Sequence, residues 1–169
     1  MAIVKHIKSR NANYSDALNY LIFQHDESTG KMILDEFNRP LRRDELYVDG
    51  LNCNPDTFDV ECYECNEHFK KNRNRSEIKS HHYIISYDPA DAIECDLTGE
   101  KAQALSLELA KKIFPGYQAL IVTHTDGHNS SGNIHTHIVI NSVRKEAVRR
   151  QSYMDKPHEE IAGYKHRST

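Results

Sequence analysis

The sequence predicts an α+β fold whose centre is a mainly antiparallel sheet with helices packed on one face. Predicted strands and helices interleave along the 169 residues, a length typical of one domain. The last two predicted strands are joined only by the polar residues 125–132, whereas a parallel crossover usually needs a dozen or more residues. This pair should therefore be antiparallel, which favours an α+β sheet.

The elements follow from apolar periodicity and from residues that start and stop helices. Ser15 and Thr98 are placed to cap two helices, and Asn54 before Pro55 is typical of a third helix start. In chain order we expect a strand over 2–7, a helix over about 16–24, a loop over 25–54 with one hairpin (Lys31–Phe37 against Leu41–Tyr47), a helix over about 55–71, a strand over His81–Tyr87, a helix from Thr98 to Pro115, and strands over Tyr117–His124 and Asn133–Val143.

Composition excludes several classes of protein. The chain has 22 Lys and Arg against 25 Asp and Glu, so its formal net charge is −3, and its 11 histidines are not counted in that sum. No apolar run reaches the ~20 residues of a membrane span, and the N-terminus lacks the layout of a signal peptide, so we expect a cytoplasmic protein. The mild acidity argues against binding nucleic acid by bulk charge alone, but it is compatible with a local basic groove.

Two of the four cysteines are expected to be small core residues. Cys62 and Cys65 belong to one apolar stripe of the second helix, together with Phe58 and Phe69. The alternative is a zinc knuckle, for which the ligands would be Cys53, Cys62, Cys65 and His68. The helical spacing favours the core interpretation.

The strongest chemical signal is a group of histidines at the end of one predicted strand and in the next. Residues two apart share a face of a strand, so His135 and His137 point one way while Ile138 and Ile140 point towards helices. His124 ends the neighbouring strand and can lie beside this pair. Three neutral imidazoles that converge can bind a divalent metal.

Nearby polar residues could support such a site. Asp126, two residues after His124, is placed to accept the second N–H of a ligand histidine. Asn141 shares the face of the paired histidines and could support the metal or a phosphate, although a strand-end hydrogen bond explains it equally well. His81 and His82 have no spacing that assigns either of them to the site.

The pattern His124-x-Asp126, followed by His135-x-His137-x-x-x-Asn141, resembles the third motif of HUH-type relaxases, particularly the MOB-P class. These nucleases initiate the conjugation of plasmids and integrative elements. The opening strand with its tyrosine-bearing helix and the segments His81–Pro89 and Thr98–His124 are similar to relaxases of Gram-positive conjugative transposons.

The resemblance spans most of the chain and implies an HUH endonuclease fold. Residues 1–169 are then one relaxase catalytic domain, with a basic, irregular segment over 144–169. Because relaxases of this family are usually longer, the chain is compatible with a fragment of a longer relaxase.

The implied activity is site- and strand-specific nicking and rejoining of single-stranded DNA at an origin of transfer through a covalent 5′-phosphotyrosyl intermediate. A divalent ion, Mg²⁺ or Mn²⁺ in use and Zn²⁺ or Ni²⁺ in vitro, would be held by His124, His135 and His137. The family also implies a type IV secretion coupling protein, accessory DNA-processing proteins and export with the DNA. A replication-initiator or transposase nuclease of the same superfamily, and a non-catalytic DNA- or metal-binding module, stay open as alternatives.

The resemblance further implies a nucleophilic tyrosine near the N-terminus, for which there are two candidates. Apolar residues within 17–22 define an arc of the first helix; Tyr20 points away from it, and Tyr14 falls near its centre. We therefore favour Tyr20, with Tyr14 as the alternative. Tyr153 and Tyr164 keep open the order in which the tyrosine follows the histidine pair.

DNA is expected to approach along basic residues. The basic run after the second helix is explained either by the helix dipole or by phosphate contacts, and both interpretations stay open. The predicted DNA-binding residues are Lys70, Lys71, Arg73, Arg75, Arg144 and Lys145.

Overall fold

Antiparallel strands form the centre of the molecule. Within residues 2–125 and 133–167, which the computed structural model describes, the strands are β1 (Ile3–Ser9), β2 (Leu46–Leu51), β3 (Ser80–Ser86), β4 (Tyr117–His124) and β5 (His135–Arg144). Their order across the sheet is β1-β3-β5-β4-β2. β4 and β5 pair antiparallel, so the predicted pairing and the α+β class are confirmed.

Three of the four helices among the described residues begin at a residue whose side chain caps the helix. The four helices are α1 (Tyr14–Ile22), α2 (Phe58–His68), α3 (Pro89–Glu94) and α4 (Gly99–Ile113). Thr98 caps α4 as predicted, accepting a hydrogen bond from the backbone N–H of Lys101. Asn13, rather than Ser15, caps α1. This helix therefore starts earlier than predicted and carries Tyr14 in its first turn.

The segment between the first two helices differs from the prediction. Residues 23–42 form an arm held by the isolated bridges Phe23↔Arg42, His25↔Met32 and Leu34↔Pro40, instead of the expected hairpin. The sequence predicts a loop where β2 lies, because the pair Asp49-Gly50 is typical of a turn. An added Cβ at Gly50 would clash with the carbonyl oxygen of Cys53, so a close backbone approach, and not a turn, requires this glycine.

Helices cover both faces of the sheet, so the predicted packing on one face is wrong. Ile138 and Ile140 of β5 join a buried cluster with α4, whereas Val139 between them joins a second cluster with α1 and α2. Every residue of β4 is buried. The unbroken apolar run 119–122 in β4 is typical of a strand covered on both faces.

The structure also bears on the predictions for the cysteines and for a membrane-spanning segment. Cys62 is fully buried beside Phe58 in the cluster under α1 and α2, and Cys53, Cys62, Cys65 and Cys95 are all free thiols. The core interpretation of Cys62 and Cys65 is therefore confirmed. No helix among the described residues is long and apolar enough to cross a membrane.

Candidate metal centre and active site

Three histidines converge where β4 ends and β5 begins. His124 pairs directly with His135 across the two strands, and His137 lies on the same face two residues further along β5. The three ring centroids are 5.0–5.1 Å apart. One nitrogen from each ring lies within 4.8 Å of the others. The structure thus brings together the three predicted ligands.

Outer hydrogen bonds decide which nitrogen of each ring can bind a metal. A carbonyl oxygen can only accept, so His124 Nε2 donates to the Leu21 carbonyl at 2.7 Å, and Nδ1 carries the lone pair. His135 Nδ1 donates to the Asn133 carbonyl at 3.2 Å, so the lone pair is on Nε2. These two lone-pair nitrogens face each other at 3.2 Å.

That spacing fits a shared cation better than a hydrogen bond. With both protons committed to carbonyls, neither nitrogen has a hydrogen for the other. Tetrahedral nitrogen ligands about 2.1 Å from a metal lie about 3.4 Å apart, close to the observed separation. The donor set therefore fits a divalent ion.

His82 completes the support of the third ligand. Its Nε2 lies 2.8 Å from His137 Nδ1, which leaves Nε2 of His137 to face the other two rings. Burial lowers the pKa of His82 to about 4. Burial, followed by His82 and the other two imidazoles, lowers the pKa of His137 to about 2. Both rings are neutral at pH 7, as a metal ligand and its hydrogen-bond partner should be.

Sequence reasoning did not assign His82 to the site. The register decides its place: His82 is opposite Val139, and Ile84 is opposite His137, so His82 shares the face of the ligands. The alternation of faces along the predicted strand was the one signal in the sequence that could have placed His82 on the same face as the ligands. The pairing of β3 with β5, which depends on tertiary structure, was the missing information.

The two candidate tyrosines occupy opposite environments. Tyr14 is 5% exposed; its hydroxyl donates to the Lys79 carbonyl at 2.8 Å and accepts from Asn66 Nδ2 at 2.9 Å. Burial raises the pKa of Tyr14 above its ordinary range. Tyr20 is 56% exposed. Of the two, only Tyr20 has a phenol that a DNA strand can reach.

Tyr20 opens onto a cavity of about 330 Å³. Its ring lies 5.8 Å from that of His25. The residues that line the cavity are Tyr20, His25, Asp26, Glu27, Gly30 and Arg43. Leu21, the next residue of α1, holds His124 through its carbonyl, so backbone connects this cavity to the histidines.

Two other predicted site residues have different outcomes. Asn141 is fully buried; its side chain donates to Gln118 Oε1 at 3.1 Å and accepts from the Tyr14 hydroxyl at 3.1 Å. These contacts support the structural alternative for Asn141. Asp126 lies outside the described residues, so its predicted role stays a prediction.

The predicted DNA-binding residues do not form one surface. Lys70, Lys71, Arg73 and Arg75 are exposed after α2, and Arg73 pairs with Glu67 at 3.2 Å. Their role stays a prediction.

At the end of β5, the prediction for Arg144 is corrected. Arg144 is 3% exposed, its guanidinium lies 4.6 Å from the centroid of the Tyr117 ring, and its Nε donates to the Pro115 carbonyl. Arg144 therefore packs inside the protein and cannot present its charge to DNA. Lys145 donates to the Asn52 carbonyl at 2.8 Å and lies 3.5 Å from Glu61. Nine residue steps of about 3.3 Å place Arg144 about 30 Å from His135 along the strand.

Comparisons with known proteins find one family model and several similar proteins. Residues 33–162 match the family model "Relaxase: MobA/VirD2-like, nuclease domain". Two Staphylococcus aureus proteins named Protein rlx are 35% and 37% identical over 101 residues, which cover 57% of this chain and 27% of each relative. The chain thus spans about a quarter of the length of these relatives. No solved structure matches.

The family match contains all three converging histidines and begins after α1. It therefore bears on His124, His135 and His137 as parts of the domain, while Tyr20 lies outside it. The match covers well over half of the chain and agrees with the antiparallel α+β architecture. The chain belongs to the MobA/VirD2-like relaxase nuclease-domain family.

Proposed function

We propose that this domain nicks and rejoins single-stranded DNA at an origin of transfer through a covalent 5′-phosphotyrosyl intermediate, and so initiates conjugative transfer. One observation carries the proposal: three imidazoles converge beside the helix that bears an exposed tyrosine. The family assignment supports the reaction class.

His124, His135 and His137 are the proposed ligands of a divalent ion, Mg²⁺ or Mn²⁺ in use. When bound, such an ion polarises a non-bridging oxygen of the scissile phosphate and orients the phosphate for in-line attack. The Leu21 and Asn133 carbonyls keep His124 and His135 in the required tautomers, and His82 holds the third ring through a contact to His137 Nδ1.

Tyr20 is the proposed nucleophile. Its hydroxyl oxygen forms a bond to phosphorus while the bond from phosphorus to the 3′ oxygen breaks. Tyr20 loses its hydroxyl proton, and the departing 3′ oxygen takes up one proton. The phosphodiester is exchanged for a phosphotyrosyl ester, so the reverse reaction can rejoin the strand. The backbone link from Tyr20 through Leu21 to His124 keeps nucleophile and metal site in a constant relation.

The proposed partners follow from this reaction. Single-stranded DNA at a transfer origin is the substrate, and a coupling protein with accessory DNA-processing proteins would deliver the complex from the cytoplasm to a secretion channel. Because the chain spans about a quarter of its relatives' length, we also propose that it is the catalytic domain of a longer relaxase.

The decisive experiment maps a covalent adduct. Protein is incubated with Mn²⁺ or Mg²⁺ and single-stranded oligonucleotides from the origin adjoining its gene, and the adduct is located by mass spectrometry. We expect the DNA on Tyr20, no adduct with Tyr20→Phe, and a retained adduct with Tyr14→Phe, the matched control inside the core.

Other outcomes identify the alternatives. An adduct on Tyr153 would favour a replication-initiator or transposase nuclease; the hydroxyl of Tyr153 donates to the Lys112 carbonyl on α4, and α4 covers the face opposite the converging histidines. Binding of oligonucleotide without any covalent product would favour a non-catalytic module and contradict the proposal.

A further inference from the structure

His25 is a half-buried histidine beside the exposed tyrosine. Tyr20 lies in the last turn of α1, and His25 follows shortly after the helix ends at Ile22. The two ring centroids are 5.8 Å apart, and both side chains line the cavity of about 330 Å³. The reaction assigned to Tyr20 requires the loss of its hydroxyl proton, and a phenol is a weak nucleophile until that proton is removed.

A backbone carbonyl decides which nitrogen of His25 can accept a proton. Nδ1 of His25 lies 2.9 Å from the carbonyl oxygen of Phe23. Because a carbonyl oxygen can only accept, Nδ1 donates, and the lone pair of the neutral ring is on Nε2. A nucleophile, a histidine base and a group that orients the base form the same arrangement in other enzymes that react through a covalent intermediate.

The orienting carbonyl is itself anchored on α1. The backbone N–H of Phe23 donates to the Asn19 carbonyl at 3.0 Å, so Phe23 continues the last turn of the helix. On its other side His25 forms a β-bridge with Met32. The imidazole is therefore held by the helix and by the arm at 23–42, which is the backbone support that a preorganised catalytic group requires.

The three converging histidines are not available for this proton transfer. His124 Nε2 and His135 Nδ1 donate to backbone carbonyls, and the other nitrogens of these two rings face each other at 3.2 Å. A lone pair that coordinates a cation cannot also accept a proton. His25 lies outside the group that could hold a metal, so its lone pair keeps its basicity when the metal site is filled.

Three charged side chains share the cavity with His25, namely Asp26, Glu27 and Arg43. The Asp26 carboxylate accepts hydrogen bonds from two hydroxyls of the following turn at 2.7 and 2.8 Å. These hydrogen bonds lower the pKa of Asp26 to about 2, which makes it a weak proton acceptor. Glu27 and Arg43 each take part in an interaction of their own, and an arginine keeps its proton at physiological pH.

We propose that His25 is the general base that activates Tyr20 for nicking and the general acid that protonates it during rejoining. Its Nε2 takes the hydroxyl proton as the phenol oxygen attacks phosphorus. This proposal rests on the function proposed above and assigns the proton transfer that the function requires.

The proton and the electron pairs balance in both directions. In nicking, the O–H bond of Tyr20 breaks and an N–H bond forms at His25 Nε2. The tyrosine oxygen bonds to phosphorus, the electron pair of the broken phosphorus–oxygen bond leaves with the 3′ oxygen, and that oxygen takes a proton from solvent. In rejoining, the 3′ hydroxyl loses its proton to solvent and attacks phosphorus, and the imidazolium returns its proton to the tyrosine oxygen.

The test measures the single-turnover rate of adduct formation at saturating oligonucleotide and Mg²⁺. His25→Ala removes the ring, and His25→Asn supplies an amide that can still donate to the Phe23 carbonyl but cannot act as a base. General bases typically contribute about 100- to 10,000-fold in rate, and we expect a loss of that size at pH 7 for both variants. His68→Ala, which removes an exposed histidine at the end of α2, is the control and should react at the wild-type rate.

The pH dependence separates proton transfer from structure. As pH rises from 7 to 9, hydroxide takes over the removal of the phenol proton, so the loss in the His25 variants should shrink by about tenfold per pH unit. A merely structural role would give the same loss at each pH. Added imidazole should restore part of the His25→Ala rate and should not accelerate wild type. Glu27→Gln, which removes the neighbouring carboxylate, should keep the wild-type pH profile.

Three results would overturn the proposal. They are a folded His25 variant that reacts at the wild-type rate, a loss that is constant from pH 7 to 9 and is not rescued by imidazole, and a loss that shrinks with pH in Glu27→Gln instead. Mg²⁺ affinity and the melting temperature are measured on each variant, and His25→Asn carries the comparison if His25→Ala does not fold. Failure of the proposed function looks different, because wild type itself would then form no adduct on Tyr20.

Discussion

Within the residues that the structure describes, two clusters of three histidines lie on opposite faces of one sheet. His124, His135 and His137 lie under α1 and α2, on the face of Val139. His6, His81 and His166 lie on the other face, where His81 is opposite Ile140 of the α4 cluster. We call the first group the metal cluster, after its proposed role, and the second group the packing cluster.

The two clusters use their nitrogens differently. In the packing cluster His6 Nε2 and His81 Nδ1 lie 3.0 Å apart, and His166 Nε2 lies 3.1 Å from the Tyr83 hydroxyl. His6 stacks on Tyr83 at 4.4 Å. These contacts direct His6 Nε2 and His81 Nδ1 towards each other and His166 Nε2 towards Tyr83.

In the metal cluster the Leu21 and Asn133 carbonyls accept from His124 and His135, so the lone pairs of these two rings point inwards, and His82 contacts the outer nitrogen of His137. Among the described residues only this cluster meets the spacing of a metal site. The number of histidines is thus a weaker guide to metal binding than the direction of their lone pairs.

The largest expected effect separates the clusters directly. His137→Ala should lower Mn²⁺ affinity by more than the roughly 10- to 100-fold that follows loss of an outer hydrogen-bond partner, and should abolish adduct formation. His166→Ala, the control in the packing cluster, should leave Mn²⁺ affinity unchanged. Calorimetric titration of both folded variants checks this; equal affinities would contradict the assignment.

A second effect concerns stability. Mn²⁺ at 100 times its dissociation constant should stabilise the native state by about 2.7 kcal/mol, because the ion binds the folded site and not the dispersed histidines. Thermal unfolding with and without Mn²⁺ measures it. The shift should vanish in His137→Ala and persist in His166→Ala, and a shift that survived in His137→Ala would place the ion elsewhere.

A third comparison uses adjacent residues on opposite faces of β3. His82→Ala removes the partner of His137 Nδ1 and should weaken Mn²⁺ binding about 10- to 100-fold. His81→Gln alters the packing cluster and should leave the affinity of the folded protein unchanged. Should the two variants bind Mn²⁺ equally well, His82 does not position His137.

The smallest effect is a dependence of stability on pH. Burial, with the nearby charges of His166, His6 and Lys8, lowers the pKa of His81 to about 3, and burial lowers the pKa of His166 to about 4. An unfolded histidine titrates near 6.5, so below that pH the unfolded state binds more protons. The free energy of unfolding should therefore fall as pH decreases from about 6.5 towards 4.

Urea unfolding at pH 7 and pH 5 measures this dependence, and His166→Gln should reduce it. The same slope in wild type and His166→Gln would show that His166 does not contribute.

Much of the site follows from local pattern. The i, i+2 spacing of His135 and His137 and the short connection to His124 predict their convergence, and the structure has it. The arc of α1 separates Tyr20 from Tyr14 as predicted from helical periodicity. In each case the relevant residues are neighbours in sequence, so backbone periodicity alone brings them to one side.

Other features depend on partners distant in sequence. Arg144 appears in the sequence as one of several basic residues, but Tyr117 and Pro115 enclose it. His82 lies at the site because β3 pairs with β5. The backbone N–H of Arg43 donates to the Ile22 carbonyl of α1. No local sequence pattern predicts either contact.

The sequence by itself determined the class of the fold, the antiparallel pairing of the last two strands, the three converging histidines and the exposure of Tyr20. Periodicity and short connections act over a few residues, and these features need nothing more. Tertiary structure alone decided that helices cover both faces, that β2 is a strand, that His82 supports His137, and that Arg43 shares a cavity with Tyr20. These depend on strand order and register, which are set by packing of the whole chain.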